Sequence, residues 1–308
     1  FKQKTAYEIP LRLVGSEMCI RDSFLEIEVN KDSIYVQEQL LFTVRLFYTI
    51  NGIRNPQFTE LEMPDAVIQL IGSPNQYEKL IDGVRYGVYE KRYVIFPQSS
   101  GPLEIPDILF RGEVTDGSSN FVFRNLNTRR VTAFIDGMTV EVKQRPAAAA
   151  NSPFWLPVSG LTLEDNWAPD IKELQIGDSV VRTITMVTHG LDGAVLPPFG
   201  AADLNGANTY PDPAEIDRTF VSGAIVGTRV ETMTIVPTVD GNLEIPEIAI
   251  PWWNIDTDQP QVTSIPAKIL NVGAIAGAAP AEQAVSSSGN LEELLAMPPV
   301  VDLSLIHI

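Results

Sequence analysis

Cysteine and histidine are nearly missing from this chain: 308 residues hold one Cys and two His. A single Cys closes no internal disulfide, and the set is too small for the usual zinc sites or for a Cys/His catalytic apparatus. Basic residues are scarce as well, 22 Lys and Arg against 39 Asp and Glu, for a net charge of -17. With no basic stripe to neutralise phosphates and release their counterions, nucleic acid is excluded as a partner. No apolar run reaches the roughly 18 residues that a bilayer-spanning helix needs. Neither a G-x-G-x-x-G nor a Walker loop occurs, and H-E-x-x-H, C-x-x-C and the G-x-S-x-G elbow are absent too. The reading is therefore non-enzymatic, with no cofactor and no metal. What is present, 44% hydrophobic and 20% charged residues, is a globular composition with material for one large core or two ordinary domains.

Residues 1–23, FKQKTAYEIPLRLVGSEMCIRDS, lack both the continuous apolar stretch and the small-residue cleavage site of a signal peptide. They resemble translated sequencing-adapter read-through, as does the closing LSLIHI, and both are set aside as non-native. Cys19 and His307 go with them, which leaves His189 alone.

Apolar residues alternate with period two. In QLLFTVRLF, Leu40, Phe42, Val44 and Leu46 share one face. In VRYGVYEKRYVIF, the even positions Val84, Tyr86, Val88, Val94 and Phe96 are expected to form the buried face, interrupted by Glu90 and Arg92. Asn-Gly at 51 and Asp-Gly at 82, 116, 136, 192 and 240 tolerate positive φ and predict tight hairpins between these runs.

An internal repeat lies at an offset of 140 residues. YVIFPQSSGPLEIPDILF from Tyr93 matches MTIVPTVDGNLEIPEIAI from Met233, and Val36, Glu38 and Leu40 match Ile176, Asp178 and Val180. Each copy reads as a long strand, a Pro-marked end, a turn closed by Gly, and a strand whose start the LEIP proline marks. The expected fold is all-β, two tandem immunoglobulin-like β-sandwich domains related by the repeat. They occupy residues 24–143 and 154–272, joined by a Pro- and Ala-rich linker at 144–153. Residues 273–308 read as a disordered Ala/Pro/Ser-rich tail. The first copy carries 16 acids and 12 bases, whereas residues 151–272 carry 16 acids and 5 bases, so most of the acidity sits in the second. Such a charge serves solubility or steers a basic partner.

His189, without a second His or a Cys, reads as a polar strand-end residue. Asn254, Asp256 and Asp258 alternate in WNIDTDQP, but the turn Gly and distal Glu of a calcium loop are missing, so a solvated turn is expected; Asp212, Glu215 and Asp217 read the same way. Trp155, Trp167, Trp252 and Trp253 all fall in or just before the second copy. Tryptophan in a sandwich is commonly core or interdomain packing. Adjacent residues of a strand point to opposite faces. One of Trp252 and Trp253 therefore belongs to the core while the other faces outward or toward a neighbour. That pair, with Asn254 and Asp256 beside it, is the candidate interaction surface.

The segments FLEIEVNKDSIYVQEQLLFTVRLF, YEKRYVIFPQSSGPLEIPDILFRGEV, FWLPVSGLTLEDNWAPD and GTRVETMTIVPTVDGNLEIPEIAIPWWNIDT, with the strand up to Val272, together resemble the BatD oxygen-tolerance family of bacteria. The resemblance covers nearly all of residues 24–272. It implies tandem immunoglobulin-like domains in the periplasm, held to the inner membrane by a helix after the last sandwich. It also implies von Willebrand A domain membrane proteins as partners, in a system with MoxR-type AAA+ ATPases tied to aerotolerance and envelope stress. The family carries no established catalytic residues, so none transfers. The signal peptide, an upstream sandwich and the membrane anchor that the family implies are absent from this stretch, as truncation at the adapter-like ends explains. The alternative function is a β-sandwich binding module for an envelope glycan or peptide, using a solvent-facing Trp252 or Trp253 and an exposed sheet edge.

Overall fold

The computed structural model describes residues 23–49, 53–115, 128–169, 174–200, 204–221 and 223–274. The adapter-like start up to residue 22, and the tail from 275 on, lie outside them. Among the described residues there is no α-helix, and no helix long and apolar enough to cross a membrane. The first module contains β1 (Ser23–Val29), β2 (Ser33–Tyr35), β3 (Leu40–Tyr48), β4 (Ile53–Phe58), β5 (Ala66–Leu70), β6 (Asn75–Ile81), β7 (Val84–Pro97), β8 (Gly101–Ile105), β9 (Ile108–Thr115), β10 (Thr128–Ile135) and β11 (Met138–Lys143). One layer has the order β1-β3-β7-β5, with β6 also on β7; the other is made of β10-β9-β4 and β2-β11-β8.

The second module repeats this order with β12 (Pro157–Val158), β13 (Gly160–Ala168), β14 (Leu174–Gln175), β15 (Val180–His189), β16 (Ala207–Pro211), β17 (Glu215–Val221), β18 (Ala224–Pro237), β19 (Gly241–Ile245), β20 (Ile248–Asn254), β21 (Gln259–Ile265) and β22 (Lys268–Gly273). Its layers are β13-β15-β18-β16 with β17, against β12-β20-β21 and β14-β22-β19. Two layers of mainly antiparallel strands in this order, twice over, make two immunoglobulin-like sandwiches. One edge differs. In the first module β4 pairs antiparallel with β9; in the second, β12 at the module's start takes that place, parallel to β20.

Repeated residues make repeated turns. Glu38 accepts from the Tyr35 N–H and Asp178 from the Gln175 N–H, both at 2.8 Å, before the first long strand of each module. After the longest strands, Gly101 (φ 115) and Gly241 (φ 110) take a backbone conformation closed to L side chains.

The LEIP proline marks the start of a strand as expected, β9 at Ile108 and β20 at Ile248, and it also bends the path of the chain. Leu103 pairs with Val140 and Phe110 with Ala133 in one unbroken antiparallel register, although Pro106 separates β8 from β9. Proline has no N–H for the ladder, so the strand bends there, and its partner bends at Asp136–Gly137. A Cβ on Gly137 would lie 2.1 Å from the Ile105 carbonyl oxygen. Asp136–Gly137 is therefore a kink, not a hairpin. Asp192 is not a hairpin residue either: it caps a short 3-10 turn, Gly193–Val195. Asp82 and Gly83, with φ 48 and 77 in a two-residue loop, do form the expected tight hairpin. Asn51–Gly52 and Asp116–Gly117 lie outside the described residues.

The largest correction concerns β7. On β3 the residues Leu40, Phe42, Val44 and Leu46 are buried in the first core, as expected. Because Phe42 pairs with Tyr93 and Leu40 with Ile95, it is the odd residues of β7 that share that face. Tyr89, Tyr93 and Ile95 line the core, and the even residues point outward. Glu90, read as an interruption, lies on the outer face and accepts from Arg45 Nε at 2.8 Å; Arg45 also reaches Glu28 at 2.6 Å. Those carboxylates raise the Arg45 pKa although partial burial pulls it down. The outward Val94 and Phe96 are buried all the same, because the second module covers them.

Candidate functional site

The joint between the modules brings together Trp253, Trp155 and Asp258 of the residues singled out from sequence. Trp253 points away from its own sandwich and is 5% exposed. It packs with Tyr35 of β2 and with Trp155 just after the linker, ring centroids 6.1 and 6.2 Å away; Tyr35 and Trp155 are 5.9 Å apart. Each polar edge of this triangle is satisfied. The Tyr35 hydroxyl donates to Asp258 Oδ1 at 2.5 Å and Trp253 Nε1 donates to the same oxygen at 3.2 Å. Trp155 Nε1 donates to the Val36 carbonyl at 2.8 Å. Burial, and then the hydrogen bond and charge of Asp258, push the Tyr35 pKa up to about 12, against a smaller opposing effect from Trp253.

The linker is folded onto this triangle. Its Arg145 donates to the carbonyls of Ala149, Ser152 (2.6 Å) and Phe154 (3.2 Å), and the guanidinium sits 5.4 Å from the Trp155 ring centre. On the other flank Gln39 clamps the β17–β18 hairpin. Its Oε1 accepts from the Ile225 N–H at 2.6 Å and its Nε2 donates to the Gly223 carbonyl at 3.2 Å. At the rim Arg218 donates to Gln69 Oε1 (2.6 Å) and Asp192 Oδ2 (2.8 Å). Asp192 has a lowered pKa: burial would raise it, but the Ala194 N–H and Arg218 outweigh that. Between the flanks lies an apolar contact in which Val94 and Phe96 meet Leu156, Val158, Leu191 and Ile225.

The two adjacent tryptophans point to opposite faces. Trp252 is partly buried against the second module's own core and donates to Thr263 Oγ1 at 2.9 Å. Trp253 is buried, whereas Trp252 keeps part of its surface exposed. Asn254 shapes the turn, its Oδ1 accepting from the N–H groups of Asp256 (2.9 Å) and Thr257 (3.0 Å). Asp256 is exposed. Asp258 is committed to the joint, and among the described residues no group of three His, Cys, Asp or Glu could hold a metal. His189 is exposed at the end of β15, where its carbonyl accepts from the Ser159 N–H at 3.0 Å.

Sequence reasoning missed Tyr35, Gln39 and Asp258 as joint residues, and Val94 and Phe96 as contact residues. For the last two a signal existed: β7 is apolar on both faces toward its end, which a one-sided sheet does not need. Trp167 lies elsewhere, between Arg182 (5.1 Å) and Lys268 (5.0 Å) in the second module. A groove of about 730 Å³ runs beside β8, with Glu62, Asp65, Glu104, Asp107 and Asp136 and no Lys or Arg in its lining. A smaller groove of about 440 Å³ occupies the matching place beside β19.

No family model matches the chain, and no curated protein does. Among solved structures it is similar to the broadly conserved Escherichia coli adhesin FdeC, at 15% identity over 81% of this chain, with a TM-score of 0.19. The chain spans 64% of the length of that structure. A second likeness, at 7% identity and a TM-score of 0.19, is to BspA_C_WT, with 81% of this chain and 99% of that one covered. The fold assignment stands on the strand order itself.

Proposed function

We propose that this pair of sandwiches is the periplasmic part of a BatD-like oxygen-tolerance protein, anchored in the bacterial inner membrane. In this reading it works without catalysis, as a protein–protein interaction scaffold for von Willebrand A domain membrane proteins in a system with a MoxR-type AAA+ ATPase. The observation that carries it is the joint, because the PWWNIDT motif behind the resemblance supplies its central residue. Trp253 sits on that strand, and Asp258 directly follows the motif. Residues so used fix one module against the other, which is what a scaffold requires. The chemistry present agrees: the site's polar groups are joined to one another rather than aimed at a space for substrate.

The test is a pull-down of membrane extract with the full-length protein, read for von Willebrand A domain proteins. Their specific recovery is expected, and their absence would overturn the reading.

A further inference from the structure

The two modules do not close their cores in the same way. The first has one continuous core in which every buried member, from Leu25 to Val142, is its own. The second has its interior in two pieces. One, around Val180, Ile235, Leu243 and Leu270, lies at the end remote from the joint. The other, around Leu161, Met186, Ile225 and Ile250, includes Val94 and Phe96 of the first module as buried members, with Leu41 and Ile71 packed against it. The open end of the second sandwich is thus plugged by the outer face of the first.

Between the two pieces, around the buried Ile184, the neighbouring inward-facing positions carry charge. Arg182, 3% exposed, makes a bidentate pair with Asp165 at 2.7 and 3.2 Å. Beside them Arg229 bonds Glu231 at 2.7 Å. The strand registers place Ile27 and Phe42 of the first module where Asp165 and Arg182 stand in the second. A buried ion pair contributes little net stability, because desolvation offsets the attraction, whereas apolar side chains of that size would contribute fully. The second sandwich is left with a divided interior, one part of which is completed by its neighbour.

We infer that folding of the second module is conditional on the joint: it stays folded only while docked on the first, and the first stands by itself. This rests on the two-module scaffold reading and adds a direction to it. A partner or force that pries the joint open does not release two rigid domains; it unfolds the second.

The test is hydrogen exchange on the whole chain carrying Val94→Ser and Phe96→Ser. Both residues face outward, away from the first core. Exchange is expected to accelerate by about tenfold or more across all of β13 to β22, including β19 and β22, which lie far from the joint. Exchange in β8, β9 and β11 is expected to stay unchanged. Acceleration confined to the joint, or spread equally through the first module, would overturn the inference. A second variant, Phe42→Ala in the first core, is expected to speed exchange in both modules; a second module that keeps its protection would likewise overturn it. A negative pull-down with normal exchange coupling removes the scaffold reading alone, and a positive one without coupling removes this inference alone.

Discussion

The outer faces of β7 and β18 are the same part of the repeat, put to different use. Val94 and Phe96 on β7 are buried under the second module, while their counterparts Thr234 and Val236 on β18 are only partly covered. The inner faces differ in the opposite sense: Phe42 fills the first core where Arg182 is held by Asp165 in the second. Apolar surface has been added outside one copy and removed from inside the other. The lesson is that two copies of one fold, once fused, need not each carry a complete core, because buried area counts equally wherever it is found.

That comparison can be broken most severely inside the second module. Asp165→Leu strands the buried Arg182 guanidinium, and a loss of about 3–5 kcal/mol is expected in denaturant unfolding. Asp165→Ile with Arg182→Phe, which copies the first module, is expected to be neutral or stabilising by roughly 1–4 kcal/mol. A double variant as unstable as the single would show that the charges are not interchangeable with apolar packing.

Next in size is the contrast between the two outer faces. Phe96→Ala is expected to cost about 3 kcal/mol, and Val236→Ala on the partly covered face less than about 1 kcal/mol. Equal losses would mean that the joint contributes nothing through this surface.

A smaller effect isolates the joint's hydrogen bonding. Tyr35→Phe removes a bond to a charged acceptor, worth roughly 1.5 kcal/mol at neutral pH. The folded-state pKa of Tyr35, about 12, exceeds its ordinary 10.0. Its contribution is therefore complete below pH 10 and lost as pH rises toward 12. Alkaline titration of stability is expected to fall more steeply for the native chain than for Tyr35→Phe in that window. Parallel curves would mean that the hydroxyl is not held as described.

Much of this was written locally. Alternation placed β3, the repeat placed both modules, and the Trp252–Trp253 pair declared two opposite faces. The β7 assignment failed although the strand itself was legible. Which face of a strand is inward depends on its register with a neighbour, and a slip of one residue exchanges the faces. Glu90 and Arg92 look like defects only while the even face of β7 is assigned to the core. Tyr35 and Asp258 stood more than 200 residues apart with no local pattern linking them, and nothing in either segment names the other.

The sequence by itself determined the class of fold, its duplication, and the want of reactive groups, since periodicity, turn chemistry and composition are properties of short stretches. Tertiary structure alone decided that the strands on either side of LEIP keep one register across a bend, that the second sandwich borrows part of its core, and that Trp253 serves the joint. Those are matters of which distant surfaces exclude water together, and solvent exclusion is a property of the assembled chain.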